Sequence, residues 1–260
     1  MTPSDDRLQA DAFALPGVEA RALATCGSTN ALLLEERPAH AVLLAADEQT
    51  AGRGRRGRRW QAPAGSGAMF SVARRLRCPP LLLSGLSLAV GVAAARALRR
   101  LGARDVALKW PNDLLAREGK LGGILVETRL GSDEHLVVVG IGINCRRVDG
   151  LGARLRRRVA ALDELTSSPL PRNAVIRAVA GEVLGCLDEF ERQGLAAFAE
   201  AWRTMHAHEG RRLQVRLDDG RRVSGIAAGL APGGALRLRT RTGFRDITEG
   251  RISLRPGGRA

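Results

Sequence analysis

Residues Ala51–Trp60 read AGRGRRGRRW, and the classification of that run decides the fold class. Gly52, Gly54 and Gly57 fit G-x-G-x-x-G, the spacing of a turn that lets backbone amides approach a pyrophosphate, yet every residue between them is arginine. A dinucleotide site needs a strand before the glycines, a helix opening on them, and an acid about 20 residues further on. The strand is there, as AVLLAADE (41–48). The rest is not: RRWQAPAGSG follows Gly57, with too much Pro and Gly for a helix, and no acidic residue occurs between Glu48 and Asp105. A Walker loop would need a lysine, and this run has none. Arg53, Arg55, Arg56 and Arg58 could instead neutralise a nucleic-acid backbone. Base stacking calls for aromatics, however, and these are 3% of the chain, with no tyrosine. Taken alone, the run is equally well read as a solvated basic loop.

The chain around it is globular in composition. With 260 residues, 45% of them hydrophobic, it can bury a substantial core, in one large domain or in a large one plus a small one. Cys26, Cys78, Cys145 and Cys186 are far apart and form no C-x-x-C pair, so neither a zinc ribbon nor a disulfide framework is suggested. A reduced, cytoplasmic compartment is expected. The acidic start lacks an apolar segment, and no run reaches the roughly 18 apolar residues of a membrane span, so no membrane partner is expected. The excess of 41 basic over 27 acidic residues, a net charge of +14, favours polyanionic partners. Only two of the basic residues are lysines, Lys109 and Lys120. Lysine is expected to persist where a compact ammonium cannot be replaced by a planar fork.

Periodicity then places the elements. Ser28 or Thr29 can cap a helix over ALLLEE. AVLLAADE and GAMFSVARRL read as strands, and residues 84–101 as a helix with arginines at its C-terminal end and Gly102 beyond. DVALKW, GGILVET and HLVVVGIGIN read as further strands, the last two joined by a hairpin turn. Residues 172–205 read as one second long helix. Beyond His208, five short strands separated by DDG, PGG and TG turns suggest a small barrel. His40, His135, His206 and His208 have no metal-ligand spacing and read as surface or structural residues.

Three polar islands interrupt the apolar runs: STN at 28–30, PND at 111–113 and GIN at 142–144. Singly, Asn112 and Asp113 read as a turn and Asn144 as a strand-end amide satisfying backbone groups. As a set, with Lys120, they point to a pocket.

In order, STN, DEQTAGRGRRGRRW, KWPNDLL, GKLGGILVE, GIGIN and ISLR resemble the biotin protein ligases, from about Thr25 to Arg255. The resemblance implies an α+β fold: a class II aminoacyl-tRNA synthetase-like catalytic domain, residues 1–207, and an SH3-like C-terminal barrel, residues 208–260. It implies ATP and biotin as substrates, with magnesium accompanying ATP. The expected products are pyrophosphate and biotinyl-5'-adenylate, and then a biotin carboxyl carrier protein modified on one lysine. It assigns Ser28, Thr29, Asn30, Gln49, Arg53, Gly54, Arg55 and Lys120 to biotin, and Arg56, Arg58, Trp60, Asn112 and Asn144 to ATP or the adenylate. Lys120, Arg55 and Asp113 are the expected catalytic groups, Asp113 for the proton of the incoming amine. The arginine run becomes a lid that gathers two anions and keeps their adduct dry.

Many relatives carry an N-terminal DNA-binding domain and act as repressors. About 20 residues precede the core here, so specific DNA binding is not expected. A homodimer is left open. Relatives commonly place an acid two residues before SLR, where this chain has Arg251, and Glu249 is the available substitute. The related lipoate ligases usually show R-R-x-x-G-G-G, which is absent here.

Overall fold

The computed structural model describes residues 6–254, except for the side chains of Arg251, Ser253 and Leu254. Arg255 of the ISLR run lies outside the described residues, as does the side chain of Arg251. Seven strands form a mixed sheet: β1 (Glu19–Cys26), β2 (Val42–Gln49), β3 (Gly67–Leu76), β4 (Ala107–Lys109), β5 (Asp113–Ala116), β6 (Gly119–Arg129) and β7 (His135–Asn144), in the order β1-β2-β3-β7-β6-β5-β4. β1 runs parallel to β2, and every other neighbour is antiparallel.

The central strands are apolar almost throughout because both faces are covered. Besides the short helices α1 (Ala10–Phe13) and α4 (Leu151–Leu155), the chain forms α3 (Leu86–Arg100) and α5 (Arg172–Gln193), with which Leu43, Phe70, Val72, Val137 and Val139 of one sheet face join the main core. On the other face Val42, Leu44, Ala73, Leu136 and Val138 pack on Leu33 of helix α2 (Thr29–Glu36). Period-two alternation sorts each strand's residues between the two layers. α3 is built of small and branched apolar residues and is buried on nearly all sides. It ends as its sequence predicts, with Gly102 at φ +102° and the Arg99 guanidinium donating to the Val106 carbonyl.

Two expectations are corrected. The helix expected over 172–205 is two helices, α5 and α6 (Ala196–Met205), because Gly194 adopts φ +66°, ψ −161° and turns the chain. The turn expected at Pro-Asn-Asp is confined to residues 110–112, with a cis Trp110–Pro111 bond. Asp113 already pairs with Lys109 across the β4–β5 hairpin and with Gly123 on β6, so a strand absent from the sequence reading carries it.

The C-terminal strands β8 (Arg212–Arg216), β9 (Arg222–Leu230), β10 (Leu236–Thr240), β11 (Gly243–Ile247) and β12 (Arg251–Leu254) form an antiparallel sheet in the order β11-β10-β9-β8-β12. Their inward residues Leu213, Val215, Leu236, Leu238 and Ile247 belong to the main core. The junction is polar as well: Trp110 Nε1 donates to the Gly234 carbonyl at 3.0 Å, and Ser84 Oγ to that of Gly233 at 2.7 Å. His135, His206 and His208 are buried and His40 is exposed. His206 stacks on Trp202 with ring centroids 4.3 Å apart. All four cysteines are free. Among the described residues no helix is long and apolar enough to cross a membrane.

Candidate active site

The floor of the site is a chain of polar side chains at the start of α2. Ser28 is the helix cap, its Oγ accepting from Ala31 N at 3.5 Å. That cap brings Thr29 and Asn30, both 3% exposed, under the sheet. The side-chain carbonyl of Gln49, at the end of β2, accepts from Thr29 N at 2.9 Å and Thr29 Oγ1 at 3.3 Å. Ser71 Oγ, on β3, lies 2.7 Å from Thr29 Oγ1 and 2.6 Å from Asn30 Oδ1. The Asn30 amide donates to the Leu125 carbonyl at 3.2 Å and to Glu127 Oε2 at 2.9 Å. Glu127 then holds Arg53 through its other oxygen, Nη2 to Oε1 at 2.7 Å. An uninterrupted polar chain therefore joins the pocket floor to the arginine run, and each buried member finds a partner.

The run itself is a narrow hairpin. Gly54 N donates to the Arg58 carbonyl at 2.7 Å and Trp60 N to that of Gly52 at 3.0 Å, with Arg53 opposite Arg59. A Cβ on Gly52 would stand 2.7 Å from the Trp60 carbonyl oxygen, so glycine is required there for close approach. Arg56 and Gly57 form the tip, at φ +58° and +67°. This reversal sends neighbouring guanidinium groups in opposite directions. Arg55 lines the cleft, where burial pushes its pKa down. Arg56 turns away to Asp218 (Nη1 to Oδ1, 2.5 Å) and Glu249 (Nη2 to Oε2, 3.4 Å) of the C-terminal unit. Glu249 thus makes a contact between the two units, and it does so with the hairpin.

Trp60 lies against β7, where a Cβ on Gly142 would be 2.6 Å from its Cζ2. The Lys120 ammonium sits 5.8 Å from the centroid of the Trp60 ring and is ion-paired with Asp113. Burial lowers the Lys120 pKa, Asp113 opposes that shift, and the nearby cations Arg157 and Arg58 add to it. The Asn112 amide donates to the Ile124 carbonyl at 2.6 Å and aligns the β4–β5 turn on β6.

Twelve of the fourteen residues expected from sequence line one cleft of about 700 Å³, its open mouth included: Ser28, Thr29, Asn30, Gln49, Arg53, Gly54, Arg55, Arg58, Trp60, Asn112, Asp113 and Lys120. Arg56 and Asn144 do not. Arg56 is expected on phosphate but faces the acids of the C-terminal unit. Asn144 is expected beside the adenine or ribose, but it is 7% exposed and donates to the carbonyls of Lys120 at 3.1 Å and Ala160 at 3.0 Å. That is the strand-end role the residue type also allows. Sequence reading missed Ser71, Glu127, Gly140 and Arg157. Ser71 and Glu127 hold the polar floor. Gly140, whose Cβ would collide with the Asn30 amide, and Arg157 line the cleft. The spacing of the glycines in GIGIN was the signal for Gly140, whereas Arg157 stands in an RRR run that offers none.

The arrangement can hold a neutral polar ring on its floor and gather anionic groups beneath its guanidinium rim. Comparison with known proteins agrees with this chemistry. The pattern of the Biotin/lipoate A/B protein ligase family matches residues 26–144, and that of the Biotin protein ligase C terminal domain matches residues 208–255. The chain is 36% identical over 248 residues to the bifunctional ligase/repressor BirA of Escherichia coli, covering 93% of this chain and 75% of that protein. It is 34% identical over 269 residues to the biotin–[acetyl-CoA-carboxylase] ligase of Mycobacterium tuberculosis, covering 99% and 92%. Among solved structures, the biotin protein ligase from Aquifex aeolicus in complex with biotin and ATP superposes with a TM-score of 0.77 at 28% identity, covering 93% of this chain and 99% of that one.

Proposed function

The chain belongs to the biotin protein ligase family and is an enzyme of that kind, and from that premise we propose that it joins biotin to ATP and passes the biotinyl group to one lysine of a biotin carboxyl carrier protein, that of acetyl-CoA carboxylase or a related carboxylase. The observation that carries the reading is the cleft itself, where a polar floor, a half-buried Arg55 and the Lys120–Asp113 pair converge under one glycine-bearing hairpin.

In the first step an oxygen of the biotin carboxylate attacks the α-phosphorus of ATP, and the bond to the bridging oxygen breaks to release pyrophosphate. Both reactants are anions, so their approach requires cations. Lys120 neutralises the carboxylate and the oxygen that becomes the acyl phosphate, while Arg53, Arg55 and Arg58 act on the phosphates. Each hydrogen bond to a charged group contributes about 1.5–3 kcal/mol. Ser28, Thr29, Asn30 and Gln49 offer neutral donors and acceptors suited to the ureido ring, with the backbone of Gly54 close by. Trp60 and Asn112 flank the nucleotide. Magnesium enters as the counter-ion of the triphosphate.

In the second step the carrier amine attacks the acyl carbon, AMP leaves with the electron pair of the C–O bond, and Asp113 accepts or orients the amine proton. Closure of the hairpin keeps water from the mixed anhydride. The catalytic unit comprises residues 1–207 and the C-terminal unit residues 208–260. The test is exchange of labelled pyrophosphate into ATP. Folded protein should catalyse it only with biotin present, and exchange that is absent or indifferent to biotin would defeat the reading.

A further inference from the structure

The segment carrying Arg157 is held against the cleft by backbone pairing with Lys120 and by two residues, Asn144 and Gly119, that do not line it. Lys120 N donates to the Arg158 carbonyl and Ala160 N to the Lys120 carbonyl, each at 3.0 Å, so residues 158–160 pair with β6 at the position of Lys120. Two motif residues serve this pairing. The Asn144 amide bonds the carbonyls of both Lys120 and Ala160. Gly119 admits the segment, since a Cβ there would lie 2.8 Å from Ala160 N and 2.9 Å from Val159 C. Sequence alone gave Gly119 no function and Asn144 a different one.

The consequence is a guanidinium at the cleft wall. Arg157 lines the same cavity as Lys120 and Arg58, and among the described residues its guanidinium has no ion-pair or hydrogen-bond partner, its backbone N–H alone being bonded, to the Gly152 carbonyl. Its neighbours Arg156 and Arg158 do not line the cavity, and Arg158 is paired with Glu118 at 2.6 Å. Arg157 and Arg58 both act on Lys120 as like charges, and Asp113 is the acid that partners Lys120. Mutually repelling cations fixed around a cavity lower their energy when an anion of matching charge enters.

We infer that Arg157 is a phosphate-binding residue of the site, taking the triphosphate of ATP and the pyrophosphate it releases, with Asn144 and Gly119 as its positioning residues. This deepens the ligase reading and rests on it for the identity of the anion. Arg157 reaches the cleft from the segment paired with β6, so its place there does not depend on the hairpin.

The test is calorimetric titration of the full chain with ATP alone, with pyrophosphate alone and with biotin alone, alongside biotin-dependent pyrophosphate exchange. Arg157→Ala should weaken ATP and pyrophosphate binding about tenfold, the lower end expected of one charge-assisted hydrogen bond at a solvent-exposed cleft mouth. Biotin binding and the thermal midpoint should stay at wild-type values, Arg157→Lys should recover part of the loss, and the KM for ATP should rise more than kcat falls. Asn144→Ala should reproduce the ATP defect with Arg157 still present. Wild-type affinity for both ATP and pyrophosphate in Arg157→Ala would overturn the inference. The titrations answer independently of catalysis. Loss of biotin-dependent exchange in the wild-type chain would defeat the ligase reading while still showing whether Arg157 holds phosphate.

Discussion

Trp60 is seated by the absence of a side chain, and Gly142→Ala tests how much that seat matters. In an ordinary strand, Gly→Ala stabilises by about 0.4–1 kcal/mol because the unfolded chain loses freedom. At Gly142 the new methyl would lie 2.6 Å from Trp60 Cζ2 and 2.8 Å from Nε1, where ordinary contact is about 3.5–4.0 Å. The indole must move by about an ångström, and overpacking of this kind costs about 1–3 kcal/mol. The clash therefore outweighs the backbone gain, and the population with Trp60 seated should fall by about five- to a hundredfold. Trp60 N also closes the hairpin on the Gly52 carbonyl, so the Arg53–Arg58 segment should loosen with it. Two readouts follow. Trp110 and Trp202 are 3% and 1% exposed, so a red shift in tryptophan emission reports Trp60. Single-turnover adenylate formation should drop by a comparable factor. Gly91→Ala on α3 is the control: its methyl would meet the flexible end of Leu108 at 3.4 Å, and emission and rate should be retained. Wild-type emission together with a wild-type rate in Gly142→Ala would refute the claim that contact with β7 orders the hairpin.

Four further outcomes are expected. Asp113→Asn removes the group that opposes the burial-driven drop in the Lys120 pKa, so the alkaline limb of the adenylation pH profile should move to lower pH; an unmoved limb would show that Lys120 is not the group titrating. Lys120→Arg keeps the charge but not the compact ammonium in its niche beside Gly123, and adenylate formation measured by pyrophosphate exchange should fall about tenfold or more; full activity would undo the argument from lysine scarcity. Arg55→Gly should let activated biotin escape, read as biotinylation of bystander lysines, and unchanged retention would show that the hairpin seals without that guanidinium. His206 and His208 are held by burial at pKa values of about 3 and about 4, so the unfolded chain binds more protons below the ordinary histidine range. Stability should fall as pH drops from about 6.5 toward 4, and His206→Phe should flatten that slope in thermal denaturation; an unchanged slope would exclude the buried pair as its source.

What the sequence disclosed follows from how each residue acts. Strands covered on both faces are unbroken apolar runs, so β2, β3 and β7 were legible, and α3 announced its end through Arg99 and Gly102. Gly194 was not read as a break, because one glycine inside a helical pattern is usually tolerated and only its backbone angles reveal the turn. β5 was hidden because Pro-Asn-Asp is itself a turn signal, and nothing local says that the turn ends before Asp113. The Thr29, Asn30 and Gln49 floor was visible as polar islands. Ser71 and Glu127, which complete it, sit singly in strands where a hydroxyl or an acid normally faces water. Partners from β3 and β6 exist only once the sheet order does.

The arginines of the hairpin mark where residue identity stops being informative. Arg55 and Arg56 are chemically the same and adjacent, yet one lines the cleft and the other holds the C-terminal unit, and the positive φ at the tip separates them. The magnitude of the second contact limits what it can do. Asp218 and Glu249 have side chains 53% and 64% exposed, and ion pairs so open to water contribute at most about 1 kcal/mol each and weaken with salt. Two pairs of that strength bias the hairpin toward closure by at most about thirtyfold and do not lock it. The catalytic cycle requires this of it, because the hairpin must cover the adenylate long enough to exclude water and still yield to an incoming lysine. The firmest anchor is the Trp60 seat on Gly142 of β7, and Arg53, itself 48% exposed, adds a pair with the more buried Glu127 of β6. Closure is therefore set chiefly by the catalytic unit, and the C-terminal unit adjusts it.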